Sequence, residues 1–193
     1  MSGLLFLTSA DFQKQNGQKG PILATNIQGF SLILFYSTQC SHCKTLIPIF
    51  KGLPGTVGGC QFGMINVSHN KQCVLLSRET IAPIKVVPYI ILYINGKPYM
   101  RYHGPHDKKE IGRFIVEVAQ KFQKNENFVK DKRVKDDPTG IPAYTIGKPL
   151  YGPDAKVCYL EFDNAYGKNE NNKNTSFSRQ NLHKQAGMGM SGR

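Results

Sequence analysis

The chain has no tryptophan, and its apolar content of 40% is low for a wholly globular protein, so part of its 193 residues is not expected to feed a core. No run approaches the ~20 apolar residues that span a bilayer, so no transmembrane segment is expected. The start, Met1-Ser2-Gly3-Leu4-Leu5-Phe6-Leu7, has no positive charge and only four consecutive large apolar residues, too few for a signal peptide. Cysteine is sparse too: five residues, an odd number with a single close pair, do not make a secreted disulfide framework. The expected setting is therefore cytoplasmic, or a particle such as a virion assembled in the cytoplasm.

Acidic residues are few, 13 against 25 Lys/Arg, which leaves a net charge of +12. Residues 1–123 hold thirteen Lys/Arg against five Asp/Glu, net +8, and residues 124–193 hold twelve against eight, net +4. A basic chain can approach nucleic acid or an acidic surface. No Arg-rich run, helix-turn-helix pattern or RNP-like aromatic motif accompanies the charge, so nucleic acid is not the expected partner.

What is present is periodicity, at least up to residue 123. Leu4 to Leu7 reads as a strand, and Thr8-Ser9-Ala10-Asp11-Phe12 as a capped short helix. Gly17, Gly20 and Pro21 read as a loop. Ser31 to Tyr36 is a continuous apolar run of the kind buried on both faces of a sheet, and is the candidate central strand. Leu46, Ile47 and Phe50 then fall on one helix face, with Pro48 inside the stretch as a potential kink. Phe62 to Val67 is a strand and Cys73 to Glu79 a short helix. Val86 to Ile94 and Tyr99 to Tyr102 flank Asn95-Gly96, a strong hairpin signal. Asp107 caps an amphipathic helix to Phe122. This order predicts an α/β domain over 1–123, a mixed central sheet with helices on both faces.

Residues 124–193 follow no such period. Pro138, Pro142, Pro149 and Pro153 interrupt it, and five Asn lie between Asn164 and Asn174. Val157 to Phe162 alternates as one strand would, but has no local partner. An extended C-terminal arm, disordered alone or ordered by a partner, is the expectation.

Chemistry concentrates at Cys40-Ser41-His42-Cys43, directly after the central strand. Two thiols three positions apart at a helix start can close a small disulfide reversibly, which makes a two-electron redox unit. Zinc competes for the same residues, since Cys40, Cys43, His69 and Cys73 form a set that the ion accepts. In a sheet-and-helix fold His69 and Cys73 fall on other elements, so no metal is expected. Cys60 and Cys73 read as small buried hydrophobes. Cys158, on the arm, reads equally as a free thiol, a crosslink to a partner or an inert residue. Tyr89, Tyr93, Tyr99 and Tyr102 read as sheet-face packing.

Together the strand ending in Phe35-Tyr36, the CxxC helix start, Val87-Pro88 before the Asn95-Gly96 hairpin, Gly104 and the last helix resemble the thioredoxin-like proteins over residues 4–122. The resemblance implies a thioredoxin-like fold, with Pro88 cis and packed opposite the disulfide. It further implies a thiol–disulfide oxidoreductase acting on protein thiols without a cofactor, with Cys40 as nucleophile and Cys43 as resolving thiol. Val87 and Pro88 would shape the substrate groove. The Ser-His pair is similar to the Gly-His of protein disulfide isomerases, so His42 would stabilise the Cys40 thiolate and make the pair more oxidising than that of a thioredoxin. Three positions depart from the family pattern: Leu34 replaces an acid, Met64 a lysine, and Gln39 a tryptophan. Loss of the acid implies slower deprotonation of Cys43. A CxxC pair without a signal peptide, joined to an Asn/Lys-rich arm, is also similar to thioredoxin-like proteins of large DNA viruses. The opposing expectation is a structural or adaptor protein, such as a minor capsid component, that keeps the fold and binds structural neighbours through its arm.

Overall fold

The computed structural model describes residues 3–124 together with 134, 135, 141, 143, 144, 158 and 159. The remainder of the expected arm lies outside the described residues. Strand β4 (Phe30–Tyr36) is the centre of the fold, and residues Ser31 to Phe35 within it are fully buried. It pairs in parallel with β5 (Cys60–Asn66) and antiparallel with β7 (Tyr89–Ile94). β1 (Leu4–Phe6) extends the β5 edge in parallel, and β8 (Lys97–Tyr102) extends the β7 edge as a hairpin.

Because alternate residues of a strand face opposite sides, β4 feeds two cores. Leu32 and Leu34 pack into a cluster with Leu46 and Phe50 of α1 (Ser41–Lys51) and with Phe114 and Val118 of α3 (Lys108–Gln123). On the opposite face Phe35 stands 5.5 Å from Phe12 and 6.2 Å from Tyr89, ring centre to ring centre. The mixed sheet with helices that the sequence order predicts is present. Pro48 removes one N–H from the α1 ladder, yet the helix runs unbroken to Lys51. Asp107 caps α3, its Oδ1 accepting from the backbone N–H of Lys109 (2.8 Å) and Glu110 (3.2 Å).

The turn between β7 and β8 needs two left-handed residues, and Asn95 (φ 50°) and Gly96 (φ 76°) supply them. A Cβ on Gly96 would lie 2.2 Å from the carbonyl oxygen of Thr25. That close approach is used, because Thr25 N–H donates to Gly96 O at 2.8 Å and ties the turn to the preceding hairpin.

That hairpin departs from the sequence expectation. The short helix after β1 is only a 3-10 turn (Ser9–Asp11), held by Thr8 N–H donating to Asp11 Oδ2 at 2.7 Å. The supposed loop around Gly17 and Gly20 is the tip of a β-hairpin, β2 (Phe12–Gly17) with β3 (Gly20–Thr25), in which Gly17 faces Gly20. Gly20, at φ 136°, takes a conformation open to glycine. Ile22, Leu23 and Ala24 bury the hairpin, and α2 (Lys71–Arg78) packs against it.

Beyond α3, two short backbone ladders return to the domain, one to β8 and one to β6 (Val86–Val87), which immediately precedes Pro88. β9 (Val134–Lys135) pairs antiparallel with β10 (Ala143–Tyr144), and β10 pairs in parallel with β8. β11 (Cys158–Tyr159) pairs antiparallel with β6, so the strand expected near 157–162 finds a distant partner rather than a local one. Among the described residues no helix is long and apolar enough to cross a membrane.

The two-core arrangement predicts unequal costs along α3. Phe114 is fully buried and its ring lies 5.1 Å from that of Tyr102, whereas Val116 is 41% exposed. Phe114→Ala should cost about 3–5 kcal/mol in urea unfolding and Val116→Ala less than about 1 kcal/mol. Equal losses would contradict this packing.

Candidate active site

The register of β4 sets the geometry of the site. Phe35 pairs with Tyr89, so the end of β4 lies beside Pro88, and the chain needs only the short segment Ser37 to Gln39 to reach Cys40. Ser37 shapes that segment: its Oγ lies 2.8 Å from Ser68 Oγ and accepts from Gln39 N–H at 3.2 Å. Cys40 N–H in turn donates to Ser37 O at 3.2 Å.

Cys40 is the N-cap of α1 and Cys43 lies in its first turn. The first N–H groups of a helix have no partner within it and carry positive partial charge, which favours a thiolate placed there. Cys40 is 3% exposed, and its Sγ lies 3.5 Å from the carbonyl oxygen of Val87. The Val87–Pro88 peptide bond is cis, and both residues are buried. Cys40, Val87 and Pro88, separated by nearly fifty positions, thus form one locus. His42 is half-buried on the same helix turn, and Ser41 and Gln39 are exposed beside it.

The two cysteines of the pair differ in state. Cys40 is disulfide-bonded, while Cys43 is a free thiol. The pair is therefore not closed on itself in this structure. Burial pushes the Cys43 thiol up to about 11, opposed in part by a hydrogen bond from the Ser37 backbone. Leu34 and Met64, where the family pattern has an acid and a lysine, face each other across β4 and β5, both buried. An apolar contact thus stands where the resemblance calls for ionisable groups.

Cys60 and Cys73 are free, buried thiols on β5 and α2, pushed by burial to about 11 and about 12. Burial keeps both in the neutral thiol form at neutral pH, and neither is a member of the CxxC pair. No three His, Cys, Asp or Glu among the described residues are placed to hold a metal ion, so the set Cys40, Cys43, His69 and Cys73 is not assembled. Sequence reasoning missed Ser37, although a serine two residues before the backbone N–H it receives is a recognisable local turn signal. It also missed the pairing of β11 with β6, next to Pro88.

A thioredoxin family model matches residues 9–117, more than half the chain and inclusive of Cys40, Cys43, Val87 and Pro88. "Uncharacterized protein 196R" of Invertebrate iridescent virus 6 is 36% identical over 173 residues, 86% of this chain and 95% of that protein. "Uncharacterized protein 020R" of Invertebrate iridescent virus 3 is 32% identical over 171 residues, 85% and 96% of the two chains. "Protein disulfide-isomerase like 2-2" of Arabidopsis thaliana is 26% identical over 125 residues, 64% of this chain but 25% of the plant protein. The chain belongs to the thioredoxin family, whose general chemistry is thiol–disulfide exchange.

Proposed function

We propose that this protein exchanges disulfides with protein thiols through Cys40 and Cys43. The observation that carries the reading is the Cys40 sulfur at the N-cap of α1, 3.5 Å from the Val87 carbonyl and already in a disulfide while Cys43 is free. In the reducing direction the Cys40 thiolate attacks one sulfur of a substrate disulfide, and the other substrate sulfur leaves as a thiolate. Cys43, once deprotonated, attacks Cys40 Sγ; the mixed disulfide breaks, the second substrate thiolate departs, and a Cys40–Cys43 disulfide forms. Run backwards, the same steps oxidise a substrate dithiol. His42 tunes Cys40 by stabilising its thiolate, and Val87 and Pro88 shape the groove for the substrate chain. Similarity over nearly their whole length to two iridescent-virus proteins supports a viral setting for this chemistry.

Cys43 sets the pace. With its thiol near 11, about one molecule in ten thousand carries the thiolate at pH 7. No carboxylate at Leu34 is available to accept the proton. The first step should therefore outrun the second, and mixed disulfides should persist.

Insulin reduction with glutathione as electron donor tests the roles. Cys40→Ser should abolish turnover, and Cys43→Ser should trap a mixed disulfide on Cys40 that non-reducing electrophoresis detects. Wild-type turnover no higher than that of Cys40→Ser would favour the structural or adaptor alternative, in which the thiols are not used.

The pH dependence follows from the direction of the Cys43 shift. Its folded value lies above the ordinary 9.0, so the resolving rate should rise about tenfold per pH unit from pH 7 and level off only near pH 11. Stopped-flow decay of a Cys40 mixed disulfide reads this directly; a plateau by pH 9 would show that Cys43 is not held in its buried, neutral form.

A further inference from the structure

Cys40 is disulfide-bonded, and Cys43, Cys60 and Cys73 are free. The fifth and last cysteine of the chain is Cys158. Its backbone lies in β11 directly opposite Val87, the residue whose carbonyl oxygen stands 3.5 Å from Cys40 Sγ. Strand pairing and sulfur position thus converge on one residue of β6. We propose that Cys158 is the disulfide partner of Cys40, and that β11 fills the groove beside Val87–Pro88 as an internal substrate, making Cys158 a third redox-active cysteine.

This inference rests on the thiol-exchange reading of Cys40, and it adds a cysteine of the same chain as exchange partner, held beside Val87 by backbone pairing between β11 and β6.

The exchange needs no outside oxidant. Starting from a Cys40–Cys43 disulfide, the Cys158 thiolate attacks Cys40 Sγ. The Cys40–Cys43 bond breaks, the Cys40–Cys158 bond forms, and Cys43 leaves as a thiolate that takes up the proton Cys158 released. Electrons and protons balance within the chain. The reverse attack by Cys43 frees Cys158 and reopens the groove. Burial favours a protonated Cys43, which pulls the exchange toward the Cys40–Cys158 form. Tethering also favours this form, since a segment on the same chain acts at an effective concentration on the order of mM.

The test uses the full chain equilibrated in a mixture of reduced and oxidised glutathione, acid-quenched, digested without reduction and mapped by mass spectrometry. A Cys40–Cys158 peptide pair should dominate, with Cys43 recovered as a free thiol. Cys158→Ser should move the bond to Cys40–Cys43, and with insulin well below mM should raise turnover on the order of tenfold by removing the tethered competitor. A wild-type map dominated by Cys40–Cys43, with Cys158 open to alkylation, would overturn the inference while leaving the exchange reading intact, provided turnover still depends on Cys40. A Cys40–Cys158 bond with turnover unmoved by Cys158→Ser would overturn the role as competitor. Loss of Cys40 dependence in every variant would instead overturn the exchange reading itself.

Discussion

The backbone register of β4 against β5 and β7 is the constraint on which the rest depends. It buries Leu32, Ile33, Leu34 and Phe35 from both sides, so a slip of one residue would send each of them to the wrong core. The same register places Phe35 opposite Tyr89 and so brings the end of β4 to Pro88. From there, three residues and the Ser37 hydrogen bonds carry the chain to Cys40 at the start of α1. The helix end, the cis Val87–Pro88 bond and the Cys40 sulfur are neighbours because this register is the one that keeps both faces of the central strand dry.

That constraint also explains the chemistry at Cys43. A central strand buried on both faces favours an apolar residue at position 34, and here Leu34 meets Met64 rather than an acid meeting a lysine. The core gains an apolar contact, and a buried carboxylate with its desolvation cost is avoided. The site lacks a proton acceptor there, so burial, opposed only in part by the Ser37 backbone hydrogen bond, governs the Cys43 thiol. On the proposed exchange chemistry, a site built this way should attack readily and resolve slowly. The proposed exchange between Cys40 and Cys158 fits that kinetic character, because a protein that holds mixed disulfides for long periods benefits from a default partner of its own.

Much of this was legible in the sequence because each signal was local. The apolar run of β4, the three-and-four spacing of Ile111, Phe114, Ile115 and Val118, and Asn95-Gly96 between two apolar strands each declare an element without reference to anything distant. Cys40, Cys43 and Val87-Pro88 were legible by spacing and resemblance. The β2–β3 hairpin was not, because Gln13-Lys14-Gln15-Asn16 offers little apolar alternation and Gly17 and Gly20 read equally well as a loop. Its stability comes from Phe12 meeting Phe35 and from Gly96 accepting the Thr25 N–H, contacts between residues far apart in sequence. The pairing of β11 with β6 was hidden for the same reason: alternation showed a strand near Cys158, but no local feature could name its partner. The state of Cys40 was equally invisible, since a CxxC pair suggests closure on itself and the structure has Cys43 free.

The central claim is that Cys40 and Cys43 form a working redox couple, poised by a helix N-terminus and His42. A reduction-potential titration of the full chain carrying Cys158→Ser, against graded glutathione buffers and with thiols counted by alkylation, reads that couple alone. The account predicts one two-electron transition, dependent on Cys40, at a potential less negative than the roughly −270 mV of a thioredoxin. The absence of any Cys40-dependent transition would contradict it.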